Sequence, residues 1–125
     1  LRYARERALK PLGVAVLDVR GTLTAYAAED GSTLGRAQIA MGKASGAIGM
    51  GLGSRALATR PPQFSNAVGR LFPLGMVPVP GGVLIKDGGE IVGAVGISGD
   101  SSDNDEAAAL AGIADAGLSG DPGSD

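Results

Sequence analysis

Histidine, cysteine and tryptophan are absent from the chain, and two tyrosines and two phenylalanines supply all of its aromatic surface. Without cysteine no disulfide holds the fold and no thiol does chemistry. Neither a Ser/His/Asp nor a Cys/His arrangement exists without those residues, and a zinc site would have to be all-carboxylate, so no metal site is expected. No stretch approaches the roughly 18 apolar residues of a membrane-spanning helix, and no membrane partner is expected. Eleven basic residues stand against thirteen acidic ones, interspersed, for a net charge of −2. That balance lacks the basic stripe of a nucleic-acid footprint.

Glycine is what the chain has in excess. It occurs 22 times in 125 residues, against an average usage of roughly 7%, so the backbone makes many close approaches or special turns. The core must be built mainly from Ala, Val, Ile and Leu. Length predicts one domain, placed at residues 1–117, with residues 118–125 (LSGDPGSD) as a frayed, flexible tail. The first ten residues, LRYARERALK, read as an amphipathic surface helix ended by Pro11, not as a signal sequence. Because the first residue is leucine a removed leader stays open, and the expected compartment is the cytoplasm.

The strongest local pattern runs from Pro80 to Ala109. Val83 to Ile85 is an apolar run, Asp87-Gly88-Gly89 supplies a tight turn, and Ile91 to Ile97 resumes in β-branched residues, which predicts an antiparallel hairpin. Strict alternation would put Ile91, Gly93, Val95 and Ile97 on one face and Val92, Ala94 and Gly96 on the other. A glycine on each face predicts close packing on both sides. Asp103 and Glu106, three apart, predict the capped start of a final helix reaching Ala116.

Upstream, Val14–Asp18 and Thr22–Ala27 predict a first hairpin turned by Asp18-Val19-Arg20-Gly21. Ser32 or Thr33 is placed to cap a helix from Leu34 to about Met50. Gly42, Gly46 and Gly49 interrupt that helix. Each costs up to about 1 kcal/mol relative to alanine, so a neighbour must lie very close, whether sheet or partner subunit. Gly49-Met50-Gly51-Leu52-Gly53 ends a helix and does not join a strand to one, so it is no dinucleotide fingerprint. Short helices are expected at Ser54–Thr59 and Gln63–Leu71. Phe72–Pro80, FPLGMVPVP, is an apolar loop of the kind that lines a pocket or a subunit contact.

Three blocks, VAVLDVRGTLTAYAAEDG, AQIAMGKASGAIGMG and PVPGGVLIKDGGEIVGAVGISGDSSDNDEAAALAG, resemble the GlcG/HbpS family, also called the haem-degrading or DUF336 domain, and occur in that family's order. The resemblance covers about Leu9 to Gly117. It implies a single α+β domain, with an antiparallel sheet of about five strands flanked by helices in a profilin-like or PAS-like arrangement, assembled into a homo-oligomer. Family members have been connected with haem binding or degradation, with glycolate-utilisation operons and with the C-terminal domain of PduO proteins. Carried over residue by residue, the family's DxxG falls on Asp18 and Gly21 and its DG on Asp30 and Gly31. Its helix lysine falls on Lys43, its PGG on Pro80, Gly81 and Gly82, its SG on Ser98 and Gly99, and its acidic pair on Asp105 and Glu106. The histidine that ligates haem iron in some relatives has no counterpart here.

Lys43 is the sharpest single candidate, an amine in the middle of a small, apolar helix. It is either a solvated surface group or a desolvated base or anion anchor. Glu106 and Asp105 are either first-turn acids serving the helix dipole or, with Glu106 opposite Lys43, proton-transfer groups. Asp18 and Asp30 read as turn residues. Arg55, Arg60 and Arg70, near Phe64 and Phe72, form either a solvated or an anion-attracting rim. Tyr26, Met41, Met50, Met76 and Lys43 are the side chains able to sit axial to haem iron, and methionines on apolar stretches usually belong to the core. The run Asp100 to Glu106 resembles a calcium loop but lacks the glycine and the late glutamate of one.

Two functions follow. The first is an oligomeric module that binds a small molecule, haem or another tetrapyrrole without a histidine ligand. Its pocket would lie between the central helix, the apolar loop and the Gly81-Gly82 turn, with Phe64, Pro80, Gly81, Gly82, Ser98 and Gly99 as contacts. The second is a cofactor-independent isomerase or hydratase for a small organic acid, with Lys43, Glu106 and Asp105 as its catalytic groups.

Overall fold

The computed structural model describes residues 1–123. Five strands make one antiparallel sheet: β1 (Gly13–Asp18), β2 (Leu23–Ala28), β3 (Gly82–Asp87), β4 (Glu90–Ser98) and β5 (Ser119–Asp121), in the order β2-β1-β4-β3-β5. The helices are α1 (Arg2–Glu6), α2 (Leu34–Met50), α3 (Ser54–Leu57), α4 (Pro62–Val68), which runs on into a short 3-10 turn, and α5 (Ser102–Asp115). Among the described residues no helix is long and apolar enough to cross a membrane. The α+β single sheet flanked by helices is the expected architecture.

The sheet is a middle layer between two cores. On one face Leu17, Leu84 and Ala94 pack with Ala44 and Ala47 of α2. On the other, Val83 and Ile97 pack with Ala4 of α1, Leu12, and Ala108, Ala109 and Ile113 of α5. Alternation of side chains along each strand divides the residues between the faces. Gly96 marks the closest approach, since a Cβ there would overlap the Ala40 carbonyl oxygen of α2. Gly88 and Gly89, with φ of +59° and +87°, form the two-residue turn between β3 and β4, both in the positive-φ region such a turn requires.

Several expectations need correction. The first helix stops at Glu6 rather than Lys10, because Ala8 takes a left-handed φ of +54° and the Arg5 guanidinium donates to the carbonyls of Leu9 and Lys10. Strict alternation in β4 fails at Val92, where the register slips between Ile85 and Lys86. Such a bulge adds local twist, and Gly93 is crowded by the Leu17 carbonyl of the neighbouring strand rather than by a packing layer. Helix α5 is capped by Ser101, whose hydroxyl accepts from the Asn104 N–H, and not by Asp103. Residues 119–121, assigned above to a frayed tail, form β5 against β3, held by Lys86 Nζ donating to Asp121 Oδ2 at 2.9 Å.

Candidate functional site

Lys43 lies past the midpoint of α2 on the face that meets the end of the sheet, and it is 2% exposed. Its ammonium donates to the Ile97 carbonyl at 2.9 Å and to Asp105 Oδ2 at 3.1 Å. The other Asp105 oxygen accepts from the Asp100 N–H at 2.9 Å. Burial pushes the Lys43 pKa below its usual value, the neighbouring Asp105 charge opposes that shift, and Arg36 adds to it. Lys43 is therefore neither solvated nor opposite Glu106. Its partner is Asp105, because the first turn of α5 points that residue toward Lys43 and the next one toward Arg55.

Glu106 instead accepts from Arg55 of α3, at 3.0 Å from Nε and 3.2 Å from Nη2, and Asp103 accepts from the same guanidinium. Gly81 and Gly82 close over Lys43. A Cβ on Gly81 would stand 2.7 Å from Nζ, and one on Gly82 would overlap the Lys43 carbonyl. The Gly82 N–H donates to the buried Ser54 hydroxyl at 2.7 Å, so Ser54 serves the strand rather than capping its own helix. Ser98 is buried and accepts from Arg36 at 3.3 Å. Gly99 approaches the Pro11 carbonyl. Phe64 lies under Arg60, whose Cζ is 6.0 Å from the ring centre, on α4. Asp18 accepts from the N–H groups of Arg20 and Thr22, the turn role expected of it. Lys43, Asp105, Gly81, Gly82 and Ser98 thus meet in one sealed region, and Phe64 and Glu106 lie outside it.

The glycines of α2 do have a close neighbour, and it is the chain's own apolar loop. Val77 sits on Gly42, Met76 on Gly46 and the Phe72 ring on Gly49. The loop is anchored there by the Val77 N–H donating to the Gly42 carbonyl. Two of the cavities among the described residues bear on ligand binding. One, of about 570 Å³, opens between the β1–β2 turn, the C-terminal half of α2 and the start of the loop, among Arg20, Thr22, Ser45, Ile48, Phe72 and Leu74. The other, of about 320 Å³, is an apolar trough between α5 and the sheet that includes Val14, Val16, Ala27 and Val95.

Neither of these two is lined by the expected contacts Phe64, Pro80, Gly81, Gly82, Ser98 or Gly99, and Gly99 borders a separate cleft of about 190 Å³ with Lys10, Pro11 and Arg36. Arg20 and Ile48 were missed as site residues, since a turn and a helix end about 28 residues apart carry no joint signal in sequence. The apolar loop Phe72–Pro80, expected to line a pocket beside the central helix, does so through Phe72, Pro73 and Leu74, and the DxxG turn and Gly49 were further hints.

Tested against haem, the larger cavity is a partial fit. Ile48, Phe72 and Leu74 offer apolar contact for a ring, and Arg20 offers a cation for its carboxylates. Iron ligation fits poorly. Lys43 is committed to Asp105, Met76 fills the space over Gly46, and the Tyr26 hydroxyl lies over Gly13, 3.0 Å from where a Cβ would stand. None of the usual axial ligands, His, Cys, Met or Tyr, lines that cavity.

Solved structures share this fold. The PduOC:heme complex is 24% identical, with 90% of this chain and 83% of that one covered at a TM-score of 0.79. HbpS is 27% identical, covering 90% and 78% at 0.78, and a double mutant of Streptomyces reticuli HbpS is 27% identical, covering 90% and 75% at 0.78. A search of curated proteins finds no match. The family model described as haem-degrading protein HbpS-like matches residues 1–114. With that match over nearly the whole chain, and the expected sheet and helices in place, the protein belongs to the HbpS-like family.

Proposed function

We propose that this is a haem-related small-molecule-binding protein, acting as a homo-oligomer, that holds a planar, carboxylate-bearing tetrapyrrole by ring contact and charge rather than by a strong iron ligand. The reading rests on one observation, the cavity of about 570 Å³ where Ile48, Phe72 and Leu74 meet Arg20. Its volume lies within the ~300–1,000 Å³ of small-molecule sites, and an apolar lining with a few placed polar groups is the usual pattern of such sites. The family, and a neighbour solved as a haem complex, supply the class of ligand. Arginine suits the anionic end because its planar fork matches a carboxylate.

The test is a titration of the purified protein with haem and, in parallel, with a metal-free porphyrin that carries the same carboxylates. Both are expected to bind with affinities within a few-fold of each other, and Arg20→Glu is expected to weaken both about tenfold or more, one charge-assisted hydrogen bond's worth. Failure of both to bind at micromolar concentration overturns the reading. So does tight binding of haem alone, which would require an iron ligand.

A further inference from the structure

The two edges of the sheet are built differently. β5 is three residues long and is tied by the Lys86–Asp121 ion pair, a short and charged edge of the kind that resists further pairing. β2, with the sequence LTAYAA, is six residues long, carries neither charge nor proline, and exposes every residue, including Leu23 at 39% and Tyr26 at 37%. Among the described residues no strand lies beyond it.

The ladder with β1 decides which backbone groups are free. The Glu29 N–H donates to the Leu12 carbonyl, and Val14 lies opposite Ala27 and Ala15 opposite Tyr26. Hydrogen-bonded and non-bonded pairs alternate along an antiparallel ladder. Ala27 therefore turns its N–H and C=O toward β1, while Tyr26 and Ala28 turn theirs to the open edge. The occupant that satisfies such groups is another extended backbone.

We infer that the occupant is β2 of a second copy of this chain, paired antiparallel about a two-fold axis at Tyr26. Tyr26 then exchanges both backbone bonds with its own counterpart, and the regular pairing ends at Thr24, which the β1–β2 register skips as a bulge. Side chains agree with this register. Ala25 and Ala27, on the face of Val14 and Val16, come opposite one another, small against small. On the other face the Tyr26 hydroxyl lies over Gly13 of its own sheet, which lays the ring back across β1 and keeps it clear of the axis. The same uncharged strand supplies both halves, so no like charges meet, and the two sheets join as one. The inference gives the proposed self-association a specific interface, and it stands or falls independently of the ligand.

Light scattering at tens of micromolar should give a dimer or a multiple of dimers for the wild-type chain and a halved mass for Tyr26→Pro. Proline there removes an outward N–H and no bond to β1, so circular dichroism should remain that of a folded chain. Should that variant fail to fold, Ala25→Cys/Ala27→Cys in the otherwise cysteine-free chain supplies a second readout. Under mild oxidation it should give a covalent dimer, because those positions face each other across the proposed axis at disulfide distance. A wild-type monomer overturns the inference. So does an assembly that keeps its mass in folded Tyr26→Pro, or a cysteine pair that stays uncrosslinked in the assembled protein.

Discussion

The Lys43 ammonium and the Asp105 carboxylate lie 3.1 Å apart, with the two side chains 3% and 2% exposed. The pair joins the middle of α2 to the start of α5 around the end of β4, where the Ile97 carbonyl takes a second bond from the amine. A helix on one face of the sheet is thereby tied to a helix on the other. Neither of the two cavities described above reaches it, so its geometry is that of a strut.

Lys43→Met should therefore cost about 3–5 kcal/mol of stability in urea unfolding at neutral pH, because it leaves the Asp105 carboxylate buried without its counter-ion. The double variant Lys43→Met/Asp105→Asn should recover much of that loss. Burial holds the Lys43 pKa below its usual value of 10.5. Between the folded pKa and that value the unfolded chain binds the extra proton, so wild-type stability relative to Lys43→Met should rise with pH in that alkaline window.

Asp100 contributes to the acid limb. Its carboxylate accepts from the Lys10 N–H, the Asn104 amide and the Ser101 N–H, which lower its pKa from 3.8 to about 2. A group depressed in this way contributes stability that is present above the unfolded pKa and is lost as pH falls through the folded one. Denaturant titrations between pH 5 and pH 2 should show a shallower loss for Asp100→Asn than for wild type over roughly pH 4 to pH 2.

Glycine positions in α2 and β4 should differ sharply in tolerance. Gly96→Ala sets a methyl against the backbone of Ala40, which cannot turn aside, and should cost about 3 kcal/mol or more or prevent folding. Gly49→Ala meets only the Phe72 ring, 2.7 Å from the added carbon, and that side chain can swing away. The gain in helix propensity, up to about 1 kcal/mol, should offset much of the cost. Thermal unfolding measures both effects. Porphyrin affinity should fall in Gly49→Ala, because Phe72 walls the cavity.

Truncation after Leu118 should lower the thermal midpoint by several degrees, equivalent to about 1–3 kcal/mol. It removes β5, the Lys86–Asp121 pair and the Pro122 carbonyl that accepts from the Arg55 N–H at 3.2 Å. A truncated chain with an unchanged midpoint would show that the last strand is dispensable.

The hairpin around Gly88-Gly89, the helix from Leu34 to Met50 and the turn role of Asp18 were legible because each depends on residues within a few positions of one another. β5 was not, since Ser119-Gly120-Asp121 has no strand propensity and is recruited by the exposed edge of β3. The closeness implied by Gly42, Gly46 and Gly49 was legible while the identity of the neighbour was not. Phe72, Met76 and Val77 come from a loop whose prolines and lack of periodicity give no direction.

By itself the sequence determined the fold class, the family, and the exclusion of cysteine and histidine chemistry, because those follow from composition, local turn residues and motif order. Tertiary structure alone decided that Lys43 answers to Asp105 and Glu106 to Arg55. Adjacent residues on a helix point about 100° apart, so which of two neighbouring acids turns inward depends on how α5 is rotated against the sheet. That rotation is set by the packing of Ala108, Ala109 and Ile113 on the far face, which no local pattern records.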